Sequence, residues 1–138
     1  MNRMFVTLTV LLFLAAPTLA DESAAIGQAQ AAATSWLALT DTAKYGSSWD
    51  EAAALFKASV TKANWESALT GVRTPLGVVK SRKVKSATYT RTLPGAPDGE
   101  YVVIQFDTEF KKMATAVETV TPMHQKDGSW RVSGYFIK

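Results

Sequence analysis

The sequence predicts an α+β domain in which about three N-terminal helices pack on a curved, four-stranded antiparallel meander sheet. Up to about Val72, the chain is rich in Ala and Trp and repeats apolar residues at helical spacing. From Val78 onward it is rich in Val, Thr, Tyr and Phe, and apolar residues alternate with polar ones as in strands. Helices followed by consecutive strands are typical of this fold class.

Three helices are predicted from apolar spacing and capping residues. The first covers residues 24–43, and Gly46 follows it as a C-terminal glycine. Ser48 and Glu51 form a capping box that begins the second helix, and Thr61 caps the third. The predicted buried faces hold Ile26, Ala29, Ala33, Trp36, Leu37 and Thr40, then Trp49, Ala53, Phe56 and Val60, then Trp65, Ala68, Leu69 and Val72.

Four strands are predicted in the second half of the chain, at residues 78–93, 101–110, 116–125 and 130–137. The alternation of apolar and polar residues is interrupted around residues 83–85, which indicates a bulge in the first strand. Val102, Ile104, Phe106 and Phe110 share the face that we expect the helices to cover, and Gln105, Asp107 and Glu109 share the other.

The last hairpin is predicted to turn at Asp127 and Gly128. That turn fixes the pairing of the two strands that it joins. The predicted pairs are Gln125 with Trp130, His124 with Arg131, Met123 with Val132, Val120 with Tyr135, Thr119 with Phe136, and Glu118 with Ile137.

Residues 1–20 resemble a secretory signal peptide. Arg3 supplies a positive start, an apolar run follows, and Thr18 and Ala20 are small residues before a cut predicted after Ala20. The run is about a dozen residues, whereas a bilayer-spanning helix needs about 20. We therefore expect a single domain at residues 21–138, periplasmic or extracellular, with no integral membrane segment after cleavage.

Composition narrows the chemistry. The chain has no cysteine, which excludes a thiolate nucleophile and cysteine-based metal sites. Its net charge of +3, or about +2 once Arg3 is removed, is too weak to indicate nucleic acid or a membrane as the partner. No phosphate-binding glycine loop and no nucleophile elbow occurs, and we expect no cofactor and no metal.

Several segments resemble one family of secreted bacterial proteins. They are residues 48–53 (Ser-Trp-Asp-Glu-Ala-Ala), 56–57, Trp65, 73–77 (Arg-Thr-Pro-Leu-Gly), 93–101 and 127–135. The most specific is Leu-Pro-Gly-Ala-Pro-Asp-Gly at 93–99. The chain is thereby identified as a member of the domain of unknown function 4019 family, which implies no activity. More loosely, helices before a meander ending in Asp-Gly-x-Trp-Arg-Val look similar to NTF2-like and cystatin-like folds, which host enzymes and binding modules alike.

Arg73 and Arg82 are the candidate ligand-binding residues. They flank the corner at residues 75–77, where two guanidinium groups could jointly hold a carboxylate or phosphate. The alternative is a structural role, in which such arginines bind helix-end carbonyls or form local salt bridges.

Other polar residues are interpreted as structural. His124 is the only histidine, and we expect it on a strand surface without the partners that a general base or zinc site needs. The acidic strand residues Asp107, Glu109 and Glu118 are expected on a solvated face. The basic cluster Lys80, Arg82, Lys83 and Lys85 is expected to protect an edge strand, with binding of an anionic lipid, polysaccharide or nucleic acid as the alternative. The tryptophans are expected in the core, with the lining of a hydrophobic ligand pocket as the alternative; they are Trp36, Trp49, Trp65 and Trp130.

Three hypotheses for function remain. The sequence favours a non-catalytic exported module that binds a small apolar or anionic ligand, or another protein, through the helix–sheet groove or a sheet face. An NTF2-like hydrolase or isomerase and an assembly protein that forms a homodimer through its sheet both stay open. An apolar cavity of about 300 Å³ or more would favour binding. A buried carboxylate within reach of His124 or a tyrosine would favour the enzyme, and a large apolar outer sheet face would favour assembly.

Overall fold

A computed structural model describes residues 16–138 and confirms the α+β prediction. Most of the apolar run of the predicted signal falls on residues 1–15, which lie outside the described residues. The described elements are α1 (Leu19–Asp41), α2 (Tyr45–Asp50), α3 (Ala54–Ser59), α4 (Lys62–Arg73), a 3-10 helix (Thr74–Leu76), β1 (Val79–Thr90), β2 (Tyr101–Phe110), β3 (Met113–His124) and β4 (Trp130–Ile137).

The strands form one open antiparallel sheet in the order β1-β2-β3-β4. The bounds of β2 and β4 are those predicted from the alternation. The irregularity predicted in β1 is confirmed, because its pairing with β2 shifts between Val84 and Ser86 and leaves Lys85 as the extra residue.

The helices cover the sheet face that was predicted to be the inner one. Val102, Ile104 and Phe106 are buried there, together with side chains of α1 and α4. On the other face, Asp107 and Glu109 are only half-buried. The alternation in β2 therefore assigned both faces correctly.

Two tryptophans of the core meet at Ser48, which is fully buried. The indole N–H of Trp36 donates to the Ser48 carbonyl over 2.8 Å, and that of Trp65 donates to the Ser48 hydroxyl over 2.9 Å. Core packing is thus confirmed for Trp36 and Trp65, and Trp49 and Trp130 are half-buried and pack against the same core.

The predicted second helix is split in two, and the capping-box prediction is wrong. Ser48 lies inside α2, where its hydroxyl donates to the carbonyl of Tyr45 over 2.6 Å. The chain extends at Ala53 (φ −62°, ψ 151°), whose N–H donates to the carbonyl of Val132 on β4 over 2.8 Å. This long-range hydrogen bond separates α2 from α3.

Both ends of α1 differ from the prediction. Thr18 caps the helix and exchanges hydrogen bonds with Asp21, so the predicted cut after Ala20 lies within the first helical turn. At the other end, Ala43 takes the left-handed conformation (φ 58°) that a C-terminal glycine usually adopts. Gly46 instead lies inside α2.

The buried face of α4 is narrower than predicted and contains a charge. The helix begins at the predicted cap, whose side chain accepts a backbone N–H. Trp65 and Leu69 are buried as expected, but Ala68 and Val72 are exposed. Arg73, four residues after Leu69, occupies the next buried position on that face.

The β3–β4 hairpin has a longer turn than the predicted two residues. The side chain of Asp127 accepts the backbone N–H of Ser129 over 2.9 Å, which stabilises the longer loop. Far from the turn, the predicted pairs are confirmed: Glu118–Ile137, Thr119–Phe136 and Val120–Tyr135. An irregularity then shifts the register by one residue, so His124 lies opposite Trp130 and not Arg131.

Candidate functional site

Two arginines and two carboxylates meet between the helices and the inner sheet face. Arg73 Nη2 donates to Oδ1 of Asp41 over 2.9 Å, and Arg82 donates to both carboxylate oxygens of Asp41 over 2.7 and 2.9 Å. Arg82 Nε also donates to Oε1 of Glu118 over 2.7 Å. We call these four side chains the buried ion network.

Four different elements supply the buried ion network. Asp41 and Arg73 are the last residues of α1 and α4. Arg82 lies opposite Thr108 in the pairing of β1 with β2, and Glu118 lies on β3 with its side chain on the same inner face. The network therefore ties both long helices to the sheet.

Glu118 is completely enclosed, with 0% of its surface exposed. Its Oε1 accepts a hydrogen bond from the Thr108 hydroxyl over 2.6 Å in addition to the one from Arg82, and its Oε2 accepts one from the Tyr135 phenol. Burial raises the pKa of Tyr135, and the adjacent Glu118 charge raises it further. Tyr135 thus remains a protonated donor at physiological pH.

The charges of the network stabilise one another. Burial acts to raise the pKa of Asp41, but hydrogen bonds from Arg82 and Arg73 outweigh it and hold the pKa below its ordinary value. Burial acts to lower the pKa of Arg82, but Asp41 and Glu118 outweigh it and raise the pKa. Asp41 and Arg82 therefore stabilise each other's charged forms, whereas Nε of Arg73 is buried without a hydrogen-bond partner among the described residues.

The expectation of solvated acidic strand residues is wrong for Glu118. Asp107 and Glu109 do lie on the outer face, half-buried. Glu118 shares its face with the apolar Ala116 and Val120, so the alternation in β3 contained the signal that it points inward. Its burial is tolerated because Arg82, Thr108 and Tyr135 occupy its oxygens.

The Glu118–Tyr135 contact meets the criterion that would favour an enzyme, a buried carboxylate beside a tyrosine. However, cavities of about 180–690 Å³ lie between α1 and β4, at β1–β3, at α2–α4 and at the end of α1, and neither residue is among their lining residues. Both oxygens of Glu118 are already occupied by donors from the same chain. Glu118 therefore acts in this conformation as an acceptor for Arg82, Thr108 and Tyr135.

Arg73 and Arg82 do come together and jointly hold a carboxylate, but it belongs to Asp41 of the same chain. Arg73 also donates to the Thr40 hydroxyl over 2.9 Å, and its guanidinium lies 5.1 Å from the centre of the Phe110 ring. An external anion would have to compete with Asp41, and ligand binding by the two arginines stays a prediction.

His124 has partners that the sequence did not indicate. Its Nδ1 lies 2.8 Å from Oε2 of Glu100, its ring stacks on Trp130 with centroids 5.0 Å apart, and Glu100 also accepts from the Tyr89 phenol. The hydrogen bond with His124 lowers the pKa of Glu100, while burial opposes that effect. The prediction that Arg131 lies opposite His124 is wrong because of the register shift.

The basic cluster divides between the two faces of the edge strand. Lys80, Lys83 and Lys85 are exposed, as expected for an edge protected by charge. Lys80 pairs with Glu109 over 3.2 Å. Arg82 alone of the four turns inward and joins the buried ion network.

A groove of about 420 Å³ opens between α1 and β4. We call it the α1–β4 groove. Its lining residues are Ala32, Ser35, Trp36, Leu39, Glu51, Ser129, Trp130, Arg131 and Val132. Apolar side chains of α1 and β4 form most of it, and Glu51 and Arg131 are its charged members. The sequence favoured binding in a helix–sheet groove and left a tryptophan-lined pocket open, but it could not locate this groove, because its two walls lie far apart in the chain.

Three further features of residues 16–138 bear on membrane insertion, metal binding and assembly. No helix in this range is both long and apolar enough to cross a membrane. No group of three or more metal-ligating side chains in the same range is arranged to hold a metal ion. On the outer sheet face, the apolar Phe136 is half exposed, and Nζ of Lys138 lies 5.6 Å from the centre of its ring.

Comparison with known proteins gives the family. A family model described as a protein of unknown function (DUF4019) matches residues 32–135. The chain belongs to the DUF4019 family. The matched range begins in α1 and ends in β4, so this DUF4019 domain includes both walls of the groove and the whole buried ion network. No curated protein and no solved structure gives a match, and the looser likeness to NTF2-like folds stays a prediction.

Proposed function

We propose that this DUF4019 domain is an exported, non-catalytic module that binds a small, largely apolar ligand in the α1–β4 groove. The observation that carries the proposal is the groove itself. Its volume of about 420 Å³ falls within the roughly 300–1,000 Å³ typical of small-molecule sites, and its lining is largely apolar. Two other cavities, of about 460 and 690 Å³, have mostly polar lining residues. The volume of the groove also exceeds the roughly 300 Å³ above which an apolar cavity would favour a binding function over the other two hypotheses.

The walls of the groove are held in place without a ligand. Trp36 is fixed by its hydrogen bond to Ser48 and by an edge-to-face contact with Tyr135, at 5.2 Å between ring centres. Trp130 donates its indole N–H to the side chain of Gln28 over 3.0 Å and stacks on His124. Pre-formed aromatic walls support binding because little conformational entropy is lost when a ligand enters.

The non-catalytic part of the proposal is supported by the separation of the groove from the buried ion network. None of the four network side chains lines the groove. The charged side chains that line the groove are those of Glu51 and Arg131, at its polar rim. Neither Glu118 nor His124 is among the lining residues. The alternative, an enzyme that uses Glu118, requires a conformation in which Tyr135 or Arg82 releases that carboxylate.

Export is supported by the signal-like residues 1–20. The intact mass of the protein recovered from its own cells tests it, since cleavage after Ala20 gives a chain that begins at Asp21. A full-length mass in the cytoplasmic fraction would contradict export. Native mass spectrometry of the same sample also reports any ligand that remains bound.

A groove-filling substitution tests the binding site. Ala32 lines the groove, whereas the adjacent Ala31 is exposed on the same helix. With 1-decanol as a neutral apolar probe and tryptophan fluorescence as the readout, we expect Ala32→Phe to weaken binding roughly tenfold or more. Ala31→Phe is the matched control and should bind as the native chain does. If decanol does not bind, or if both variants behave alike, the groove is not the site.

A further inference from the structure

We infer that the ligand of the α1–β4 groove carries a carboxylate, which the guanidinium of Arg131 binds while Trp36 and Trp130 contact the apolar part. This inference rests on the proposed function and specifies the chemical class of the ligand. It places an amphipathic anion, such as a medium-chain fatty acid, with its head at the rim of the groove and its chain along the aromatic wall.

Arg131 is the only cation among the lining residues of the groove, and its own contacts are long. Its Nη1 lies 3.3 Å from the carbonyl oxygen of Glu51 and 3.5 Å from a carboxylate oxygen of Glu51, and its Nε lies 3.3 Å from the hydroxyl of Ser129. Nη2 of Arg131 donates no hydrogen bond to another atom of residues 16–138. Arg131 therefore retains donors for a further anion.

The contrast with Arg82 indicates which arginine is available. Arg82 uses Nε and both Nη atoms in hydrogen bonds of 2.7–2.9 Å to two carboxylates of its own chain. Its side chain is 16% exposed, whereas that of Arg131 is 34% exposed. Arg131 can meet a ligand without breaking a short ion pair, and Arg82 cannot.

The acidic neighbours of Arg131 determine how strongly it binds. Glu51 is 64% exposed and makes only a 3.5 Å contact, so a ligand carboxylate can displace it or bind beside it. Asp127 is a second acidic neighbour. Its hydrogen bonds with Ser129 lower its pKa most, and the positive charge of Arg131 lowers that pKa further. Removing the Glu51 charge should therefore strengthen binding of an anion.

The test compares decanoate with 1-decanol, which differ in the charged head. We expect Arg131→Gln to weaken decanoate binding about tenfold and to leave decanol binding unchanged. Glu51→Gln should strengthen decanoate binding about twofold to threefold, again without an effect on decanol. Arg91→Gln removes an exposed positive charge elsewhere and is the control for net charge. Melting temperatures verify that each variant is folded.

The outcomes separate the two proposals. If Arg131→Gln weakens both probes equally, or neither, the carboxylate assignment is overturned, while a groove that responds to Ala32→Phe and not to Ala31→Phe stands. If Arg91→Gln weakens decanoate as much as Arg131→Gln does, the effect is one of net charge and the assignment also fails. If neither probe binds, the proposed function fails and this inference fails with it.

Discussion

Arg82 Nε donates to Oε1 of Glu118 over 2.7 Å, on the inner face of the sheet, where Glu118 has no exposed surface. Burying two charges costs solvation free energy, and the attraction between them offsets that cost only when their remaining polar atoms are also satisfied. Thr108, Tyr135 and Asp41 supply those partners. The pair therefore belongs to a network whose members depend on one another.

Removing one member of this pair should be costly. We expect Glu118→Ala to lower the free energy of unfolding by about 3–5 kcal/mol, because it leaves Arg82 buried with one carboxylate fewer. The double variant Arg82→Met/Glu118→Met should lose less free energy of unfolding than Arg82→Met and Glu118→Met lose in sum. Urea denaturation measures each value. Glu109→Ala, which removes a half-buried carboxylate from the outer face, is the control and should cost at most about 1 kcal/mol. Equal losses for Glu118→Ala and Glu109→Ala would contradict the structural role of the network.

Neighbouring residues of β2 should respond in opposite ways to substitution. Phe106 packs in the core, and burying such a side chain contributes roughly 1.5–3 kcal/mol. Phe106→Asp should therefore unfold the domain, whereas Asp107→Ala on the outer face should change the free energy of unfolding by less than about 0.5 kcal/mol. Circular dichroism and urea midpoints report both. Similar midpoints for the two variants would show that the face assignment is wrong.

Stability should fall in acid, partly through Asp41. Its pKa in the folded chain lies below its ordinary value, because the hydrogen bonds from Arg82 and Arg73 outweigh burial. The carboxylate therefore contributes its full stabilisation above an unfolded pKa of about 3.9, and the contribution is lost as the pH falls through the lower folded pKa. Asp41→Asn should be less stable at pH 7 and should lose less stability between about pH 5 and pH 3. Urea midpoints across that range test this, and parallel curves for the native chain and the variant would refute it.

The end of α1 offers a stabilising substitution. Lys44 donates its N–H to the Leu39 carbonyl over 2.8 Å and Ala43 donates to the Thr40 carbonyl over 3.2 Å, a Schellman motif with alanine at the left-handed position. Ala43→Gly should raise the free energy of unfolding by up to about 1 kcal/mol, because glycine adopts this conformation without steric cost.

The matched control for this substitution lies in the same helix. Ala38 is exposed in the interior of α1, where Ala38→Gly should lower the free energy of unfolding by about 0.5–1 kcal/mol. Thermal melts of both variants give the signs directly. A decrease for Ala43→Gly would show that α1 does not end in this motif in solution.

The sheet could be predicted closely from the sequence, and the second helix could not. Alternation and turn residues fix strand faces locally, which explains the agreement for β2, β4 and the bulge of β1. The split between α2 and α3 depends on a hydrogen bond from Ala53 to Val132, a residue far away in the chain. Capping preferences near Ser48 carry no information about that partner.

The candidate sites show the same division between features that a local pattern predicts and features that depend on long-range contacts. The sequence by itself determined the fold class, the inner face of β2, the proximity of Arg73 and Arg82 to one corner, and the family. Only the tertiary structure decided that those arginines bind Asp41, that Glu118 is buried, and that α1 and β4 form a groove. The physical reason is that backbone periodicity shows which way a side chain points, whereas the partner it meets is supplied by another segment through long-range packing.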